Sequence, residues 1–237
     1  NTIYIIAFIM AFAIAFFTTP IAKKIAFKVG AIDQPKDRGV HKNPMPRMGG
    51  IAIVFGFMIT LLLLSPFMPL LNLKQLLGIT SGAAIIFLLG FFDDIHDLNA
   101  KLKLGVQIIA ALIVTLCGIR IQFFSWPFLN DSLMHLEAFS IPITVIWIVG
   151  VTNAVNLIDG LDGLAAGVSS IASICLMALS IHSGYPLALL LTATLAGACL
   201  GFLPYNFNPA TIFMGDTGST FLGFMLAVIS ILGLLKS

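Results

Sequence analysis

Apolar residues fall in long runs separated by short polar stretches. Runs near 3–22, 49–70, 76–92, 104–121, 141–157, 164–182, 186–203 and 218–235 are each long enough to cross a ~30 Å hydrocarbon layer as a helix of about 17 to 25 residues. The pattern predicts an all-α, polytopic integral membrane bundle of about eight transmembrane helices. The first run lacks a small-residue cleavage pattern and precedes a basic loop, so it reads as a retained helix rather than a signal peptide. The stretch 122–140, with Phe123, Phe124, Trp126, Pro127 and Phe128, is too polar and broken to span, and its aromatics suit an external interface.

Composition supports this reading. Of 237 residues, 59% are hydrophobic and only 9% charged, against about 25% charged in a soluble domain. The mean hydropathy is +1.08, so a soluble globule and a disordered chain are both excluded. A net charge of +2, with the basic residues clustered, argues against nucleic acid as a partner. Cys117, Cys175 and Cys199 lie in apolar runs and read as packed thiols, with no disulfide framework or cysteine metal site.

Charge placement gives the orientation. Lys23, Lys24, Lys28, Lys36, Arg38, Lys42 and Arg47 lie in the first loop and Lys101 and Lys103 in the third, so nine of the 12 basic residues share one side. The positive-inside rule makes that side cytoplasmic and the N-terminus external. Counting crossings forward puts 93–103, 158–163 and 204–217 on the same side. These inner segments hold Asp33, Asp37, Asp93, Asp94, Asp97, Asp159, Asp162 and Asp216, which leaves only Asp131 and Glu137 outside. An acid near hydrocarbon costs roughly 2.5 to 3.5 kcal/mol on insertion scales, so this accumulation points to an active site or ion site at the cytoplasmic face.

Three clusters carry the candidate chemistry. In the first, Asp93-Asp94-Ile95-His96-Asp97 ahead of Lys101 and Lys103, adjacent carboxylates repel unless a cation, a lysine or a proton compensates. They suit metal binding or proton abstraction, or else a solvated helix end with Asp97 and Lys101 as an i,i+4 pair. In the second, Asn153 and Asn156 share a helix face, Gly160 can end that helix in a left-handed conformation, and Asp162 can cap the next, leaving Asp159 on the polar seam. Asparagines can equally glue transmembrane helices together. In the third, Phe213-Met214-Gly215-Asp216-Thr217-Gly218-Ser219, the glycines leave backbone N–H groups free at a helix start, a natural phosphate seat, beside which Asp216 could hold a divalent cation.

Together these motifs resemble the polyprenyl-phosphate N-acetylhexosamine-1-phosphate transferases, a family that includes the muramyl-pentapeptide transferase of peptidoglycan synthesis. The matching residues are Phe92-Asp93-Asp94 with Lys103 and Gln107, Asn153-x-x-Asn156-x-x-Asp159-Gly160-Leu161-Asp162-Gly163, and Phe213-Met214-Gly215-Asp216-x-Gly218-Ser219. The Pro46-Arg47-x-Gly49-Gly50 and Tyr205-Asn206-Phe207 segments look closer to the bacterial GlcNAc-1-phosphate branch, which initiates teichoic-acid and O-antigen synthesis.

The resemblance implies transfer of GlcNAc-1-phosphate from UDP-GlcNAc to undecaprenyl phosphate at the cytoplasmic face of a bacterial plasma membrane, with UMP leaving. It implies Mg²⁺, with Mn²⁺ as a substitute, on Asp216 and Asn156. Lys103 would contact phosphate, and Asp93 or Asp94 would activate or position the lipid phosphate. Asp162 and Phe213 would hold the uracil and Lys42 the nucleotide, with Arg47, Asn153, Asp159 and Gly215 completing the substrate-binding set. The partners are then a UDP-sugar, a polyprenyl phosphate and the membrane, with room for a homodimer. The family usually continues into further helices and a histidine-rich cytoplasmic loop. None of His41, His96, His135 and His182 belongs to such a loop, so residues 1–237 are expected to be a single transmembrane catalytic domain that lacks those parts. A muramyl-pentapeptide-phosphate transferase is the nearest alternative. An ion-coupled transporter would place acids nearer the bilayer midplane, and a scaffold would need no phosphate or carboxylate motif.

Overall fold

The protein is described by a computed structural model over residues 2–34, 44–68, 71–125 and 133–234. It contains helices α1 (Thr2–Val29), α2 (Gly50–Leu64), α3 (Leu73–His96), α4 (Ala100–Leu116), α5 (Ser140–Ile158), α6 (Leu164–Ser183), α7 (Pro186–Asn206) and α8 (Asp216–Leu234). Each corresponds to one of the eight apolar runs. Seven are long and apolar enough to cross a membrane, α2 counting with the 3₁₀ turn that extends it to Phe67; α4, at 17 residues, falls just short. Two hairpins complete the described chain: β1 (Ile32–Asp33) pairs antiparallel with β2 (Met45–Pro46), and β3 (Phe123–Ser125) with β4 (Leu133–His135). The second occupies the stretch read as non-spanning, whose Trp126, Pro127 and Phe128 lie outside the described residues.

Two helices sit at the centre. α7 packs against α1, α2 and α6, while α8 packs against α3, α5 and α6. In lipid there is little hydrophobic drive between helices, so close backbone approach at small residues takes over. α1 accordingly buries a ridge of Ala7, Ala11, Ala15, Ala22 and Ala26, with the Thr19 hydroxyl turned back to the Ala15 carbonyl at 2.7 Å. Facing it, Gly201 of α7 has no room for a Cβ, which would overlap the Phe12 carbonyl. Phe17, Ile146 and Ile171 stay on the outer surface, where lipid is the solvent.

The helix ends depart from expectation in two places. α3 runs on through Asp93 and Asp94 to His96, and only residues 97–99 separate it from α4. Asp97 turns left-handed (φ 49°) and Asn99 caps α4 by accepting from Lys101 N at 2.9 Å, so the helix is broken between Asp97 and Lys101 and the i,i+4 pair does not form. At the end of α5 the left-handed residue is Gly163 (φ 70°), not Gly160, and no side chain caps α6. Asp162 is drawn away instead, its carboxylate accepting from Ala210 N at 3.0 Å and from Asn208 Nδ2 at 3.1 Å.

Candidate active site

The connections after α1, α3, α5 and α7 meet at one end of the bundle, and contact there begins with backbone. Gly90 lets α3 press against the start of α8: a Cβ on it would lie 2.6 Å from both the Asp216 carbonyl oxygen and Thr217 Cα. Gly215, at φ +74°, turns the chain into α8, and a Cβ there would meet both Asp94 carboxylate oxygens at 2.7 Å. The segment entering α2 runs beside it. Phe213 N donates to Pro46 O (2.8 Å), Gly49 N to Phe213 O (2.9 Å) and Gly50 N to Met214 O (2.8 Å).

This packing gives the adjacent carboxylates different surroundings, although each is only 3% exposed. Asp94 Oδ1 accepts from Asp216 N at 2.8 Å, and Oδ2 accepts from Thr217 N at 3.0 Å and from the Thr217 hydroxyl. The two following N–H groups, of Gly218 and Ser219, bond to Gly215 O at 3.1 and 3.0 Å. The phosphate seat expected at Gly215–Ser219 is therefore already filled from within: Asp94 satisfies the helix start that an anion would have used.

Asp93 points into an ionic chain. Its Oδ1 accepts from Leu98 N and its Oδ2 from Lys103 Nζ, both at 2.7 Å, and Lys103 Nζ continues to Asp216 Oδ2 at 3.2 Å. Asn156 Nδ2 donates to Asp216 Oδ1 and to Ser219 Oγ, both at 2.8 Å. Asp216 is the first residue of α8, yet its carboxylate faces across to α4 and α5 rather than capping its own helix. Asp159, half-buried just past α5, has its carboxyl pushed up to about 7, first by burial and then by the negative charges of Asp216 and Asp94.

The remaining expected residues divide. Arg47 binds the end of α3, with Nε and Nη2 reaching Asp94 O at 3.3 and 3.1 Å and Nη2 reaching Asp97 Oδ1 at 2.8 Å. Asn153 exchanges amide hydrogen bonds with Gln107 of α4, at 2.6 and 3.4 Å, and donates to Val149 O at 2.8 Å. It serves as interhelical glue, one turn deeper than Asn156. Asp162 and half-buried Phe213 flank the loop 207–213 at the rim. Lys42 lies outside the described residues. Sequence reading passed over Thr217, though a hydroxyl beside an acid at a helix start is a recognisable capping signal. It gave no role to Asn206, which is buried and ties Gly163 N (3.2 Å) to Ile212 O (3.0 Å); nothing local marks that asparagine.

The glycosyl transferase family 4 model matches residues 76–234, a span that includes all three acidic clusters. The chain belongs to glycosyl transferase family 4. Among this family member's relatives is the probable undecaprenyl-phosphate N-acetylglucosaminyl 1-phosphate transferase of Bacillus subtilis, 46% identical over 233 residues, covering 98% of this chain and 64% of that protein. The decaprenyl-phosphate N-acetylglucosaminephosphotransferase of Mycobacterium tuberculosis is 36% identical over 232 residues, covering 92% and 57%. The phospho-N-acetylmuramoyl-pentapeptide-transferase of Chlamydia muridarum is 40% identical over 215 residues, covering 81% and 63%. The chain thus spans between 57% and 64% of the length of these relatives.

The donor set in this family 4 chain suits a hard divalent ion. Asn156 must turn its nitrogen to Asp216, since a carboxylate only accepts, and this leaves the amide oxygen uncommitted among the described residues. Two carboxylates and an amide oxygen, with Lys103 as the cation beside them, offer oxygen ligands only. Among the described residues no group of three or more His, Cys, Asp or Glu is placed to enclose a metal. Oxygens of this type are those that Mg²⁺ takes, one or two carboxylates with water and substrate phosphate filling the shell.

Proposed function

We propose that the protein transfers GlcNAc-1-phosphate from UDP-GlcNAc to undecaprenyl phosphate at the cytoplasmic face of a bacterial plasma membrane, releasing UMP. The observation that carries this reading is the meeting of Asp216, Lys103, Asn156 and Asp93 at one end of the bundle. Groups able to bind phosphate and a cation stand there at one end of helices long and apolar enough to cross a membrane. The likeness to GlcNAc-1-phosphate transferases over nearly the whole chain supports the choice of donor.

In this reading Asp216 and Asn156 hold Mg²⁺, or Mn²⁺ in its place, and the ion when bound offsets charge on the diphosphate and on the departing UMP. Lys103 offers its ammonium to a phosphate oxygen, and can do so while staying near Asp93 and Asp216. Asp93, still paired with Lys103, orients the lipid phosphate through that shared ammonium. Phe213 and Asp162 at the rim receive the base, where an aromatic face stacks on a nucleobase, with Lys42 on the nucleotide. Arg47 and Asn153 keep the surrounding elements in place, and Asp159 stands just past α5, near the negative charges of Asp216 and Asp94.

The test is UMP release by the detergent-solubilised protein with undecaprenyl phosphate and Mg²⁺, offering UDP-GlcNAc or UDP-MurNAc-pentapeptide. Release with UDP-GlcNAc alone, dependent on lipid phosphate and Mg²⁺, is the expected outcome. Preference for UDP-MurNAc-pentapeptide would favour the muramyl branch, for which the 40% identity to the Chlamydia muridarum protein speaks. No release with either donor, together with ion flux in proteoliposomes, would favour a transporter.

A further inference from the structure

A helix begins with N–H groups that its own turns cannot satisfy, and its dipole adds to their pull on anions. At the start of α8 that pull is fully spent. Asp216 N and Thr217 N are bonded to the two oxygens of Asp94 at 2.8 and 3.0 Å, and Gly218 N and Ser219 N to Gly215 O. Asp94 also accepts from the Thr217 hydroxyl, which is completely buried. Its carboxylate therefore takes three donors from two consecutive residues of α8. Lys103 meanwhile reaches Asp93 and Asp216. The main chain that Asp94 grips carries the Asp216 side chain, whose two oxygens are directed to Asn156 and Lys103.

We propose that Asp94 and Thr217 form a positioning clasp that sets the direction of the Asp216 carboxylate and closes the α8 N-terminus to phosphate, and that Asp94 moves no proton in the reaction. This rests on the reading of Asp216 as a cation ligand in the transferase. Asp94 and Asp93 are then neighbours with different duties: one fixes the frame on which Asp216 stands, the other meets the substrate through Lys103. Thr217 is the selective half of the clasp. Valine copies its shape without the hydroxyl, whereas serine keeps the hydroxyl and loses a methyl group, so the hydrogen bond can be separated from packing.

The experiment compares Thr217→Val, Thr217→Ser, Asp94→Asn and the Asp94→Asn/Thr217→Val double variant in the purified protein. Three quantities are read: Mn²⁺ affinity by electron paramagnetic resonance, amide hydrogen exchange over residues 215–219, and melting temperature. Thr217→Val and Asp94→Asn are expected to speed exchange at 216 and 217 and to weaken Mn²⁺ binding about tenfold, the size expected for losing a buried bond to a charged group. Serine restores both, and the double variant is no worse than Asp94→Asn alone, because the residues act as one unit. Wild-type exchange and Mn²⁺ affinity in Asp94→Asn, with turnover lost, would overturn the proposal and give Asp94 a chemical role. A lowered melting temperature with unchanged Mn²⁺ affinity would overturn it too, leaving a purely structural contact. Should the wild type bind no Mn²⁺, the reading of Asp216 as a cation ligand fails, and the clasp stands or falls on exchange: unaltered rates at 216 and 217 in Thr217→Val would end it.

Discussion

The two ends of the helical bundle are held together by different means. At the end where α3 meets α8, the described ion pairs gather: Arg47 with Asp97 at 2.8 Å, and Lys103 with Asp93 at 2.7 Å and Asp216 at 3.2 Å. At the opposite end the ties seen among the described residues are neutral. The Tyr185 hydroxyl donates to Gln75, Ser140 Oγ to Ile121 O at 2.6 Å, and Ile121 N to Thr144 Oγ1 at 2.9 Å. Neutral bonds suffice to close a bundle end, and buried charges carry a desolvation cost that their pairing does not reliably recover. Stability alone therefore does not account for the charged end.

The strongest way to break that contrast is at Asp216. Asp216→Asn is expected to lower UMP release about 10²- to 10³-fold, as removal of one group that stabilises transition-state charge does, and to blunt the response to Mg²⁺. Near-normal rates at limiting Mg²⁺ would remove Asp216 from the centre of the site.

Next in size is the separation of the two adjacent acids. Asp93→Asn keeps an acceptor for Leu98 N but gives up the ion pair to Lys103, and should cost about 10²-fold in rate with little change in melting temperature. Asp94→Asn sets an amide nitrogen against donors of α8, and should cost about 1 to 3 kcal/mol of stability for the unmatched buried groups. Equal and mild effects on both rate and melting temperature would mean that the acids are interchangeable after all.

A smaller effect is expected from pH in metal-free buffer. The Asp159 carboxyl sits at about 7 instead of 3.8, by burial and by the nearby negative charges of Asp216 and Asp94, so the fold favours its protonated form. Its contribution is fully present below about 3.8 and is lost as pH rises through about 7. Melting temperature should fall over that window, and less steeply in Asp159→Asn. An identical slope in the variant would assign the pH response to other groups.

The smallest change belongs to the neutral end. Tyr185→Phe should lower stability by about 0.5 to 1.5 kcal/mol and leave UMP release unchanged. A rate loss as large as that of Asp93→Asn would erase the functional difference between the ends.

All eight helices were legible because lipid-facing helices need apolar residues on every side, and such runs stand out without any periodicity. The convergence of the acidic clusters was legible too, since crossing parity alone brings them to one face. The bonding pattern inside the clusters was not. Asp93 and Asp94 read as a helix end suited to metal binding or proton abstraction, or else solvated; both are buried instead, and Lys103, Leu98, Asp216 and Thr217 satisfy them. The glycines after Phe213 suggested an open phosphate seat, and no local feature announced that a carboxylate 122 positions earlier would take it. Asp162 looked like a helix cap by spacing, but its partners lie in the loop after α7. Short-range rules fail where a side chain's partner is remote in sequence.

That remoteness has a consequence for how the protein is made. Asp94 is separated by 122 residues from the amide that meets its Oδ1, and ribosomes add roughly 5 to 20 residues per second. For about 6 to 24 seconds Asp94 therefore stands without its α8 partners, while four more helices are inserted, whereas Asp93 has Leu98 and Lys103 within ten residues of itself. The charged end is completed only when α8 packs in beside α3 and α5, so the site cannot form before that helix has been made.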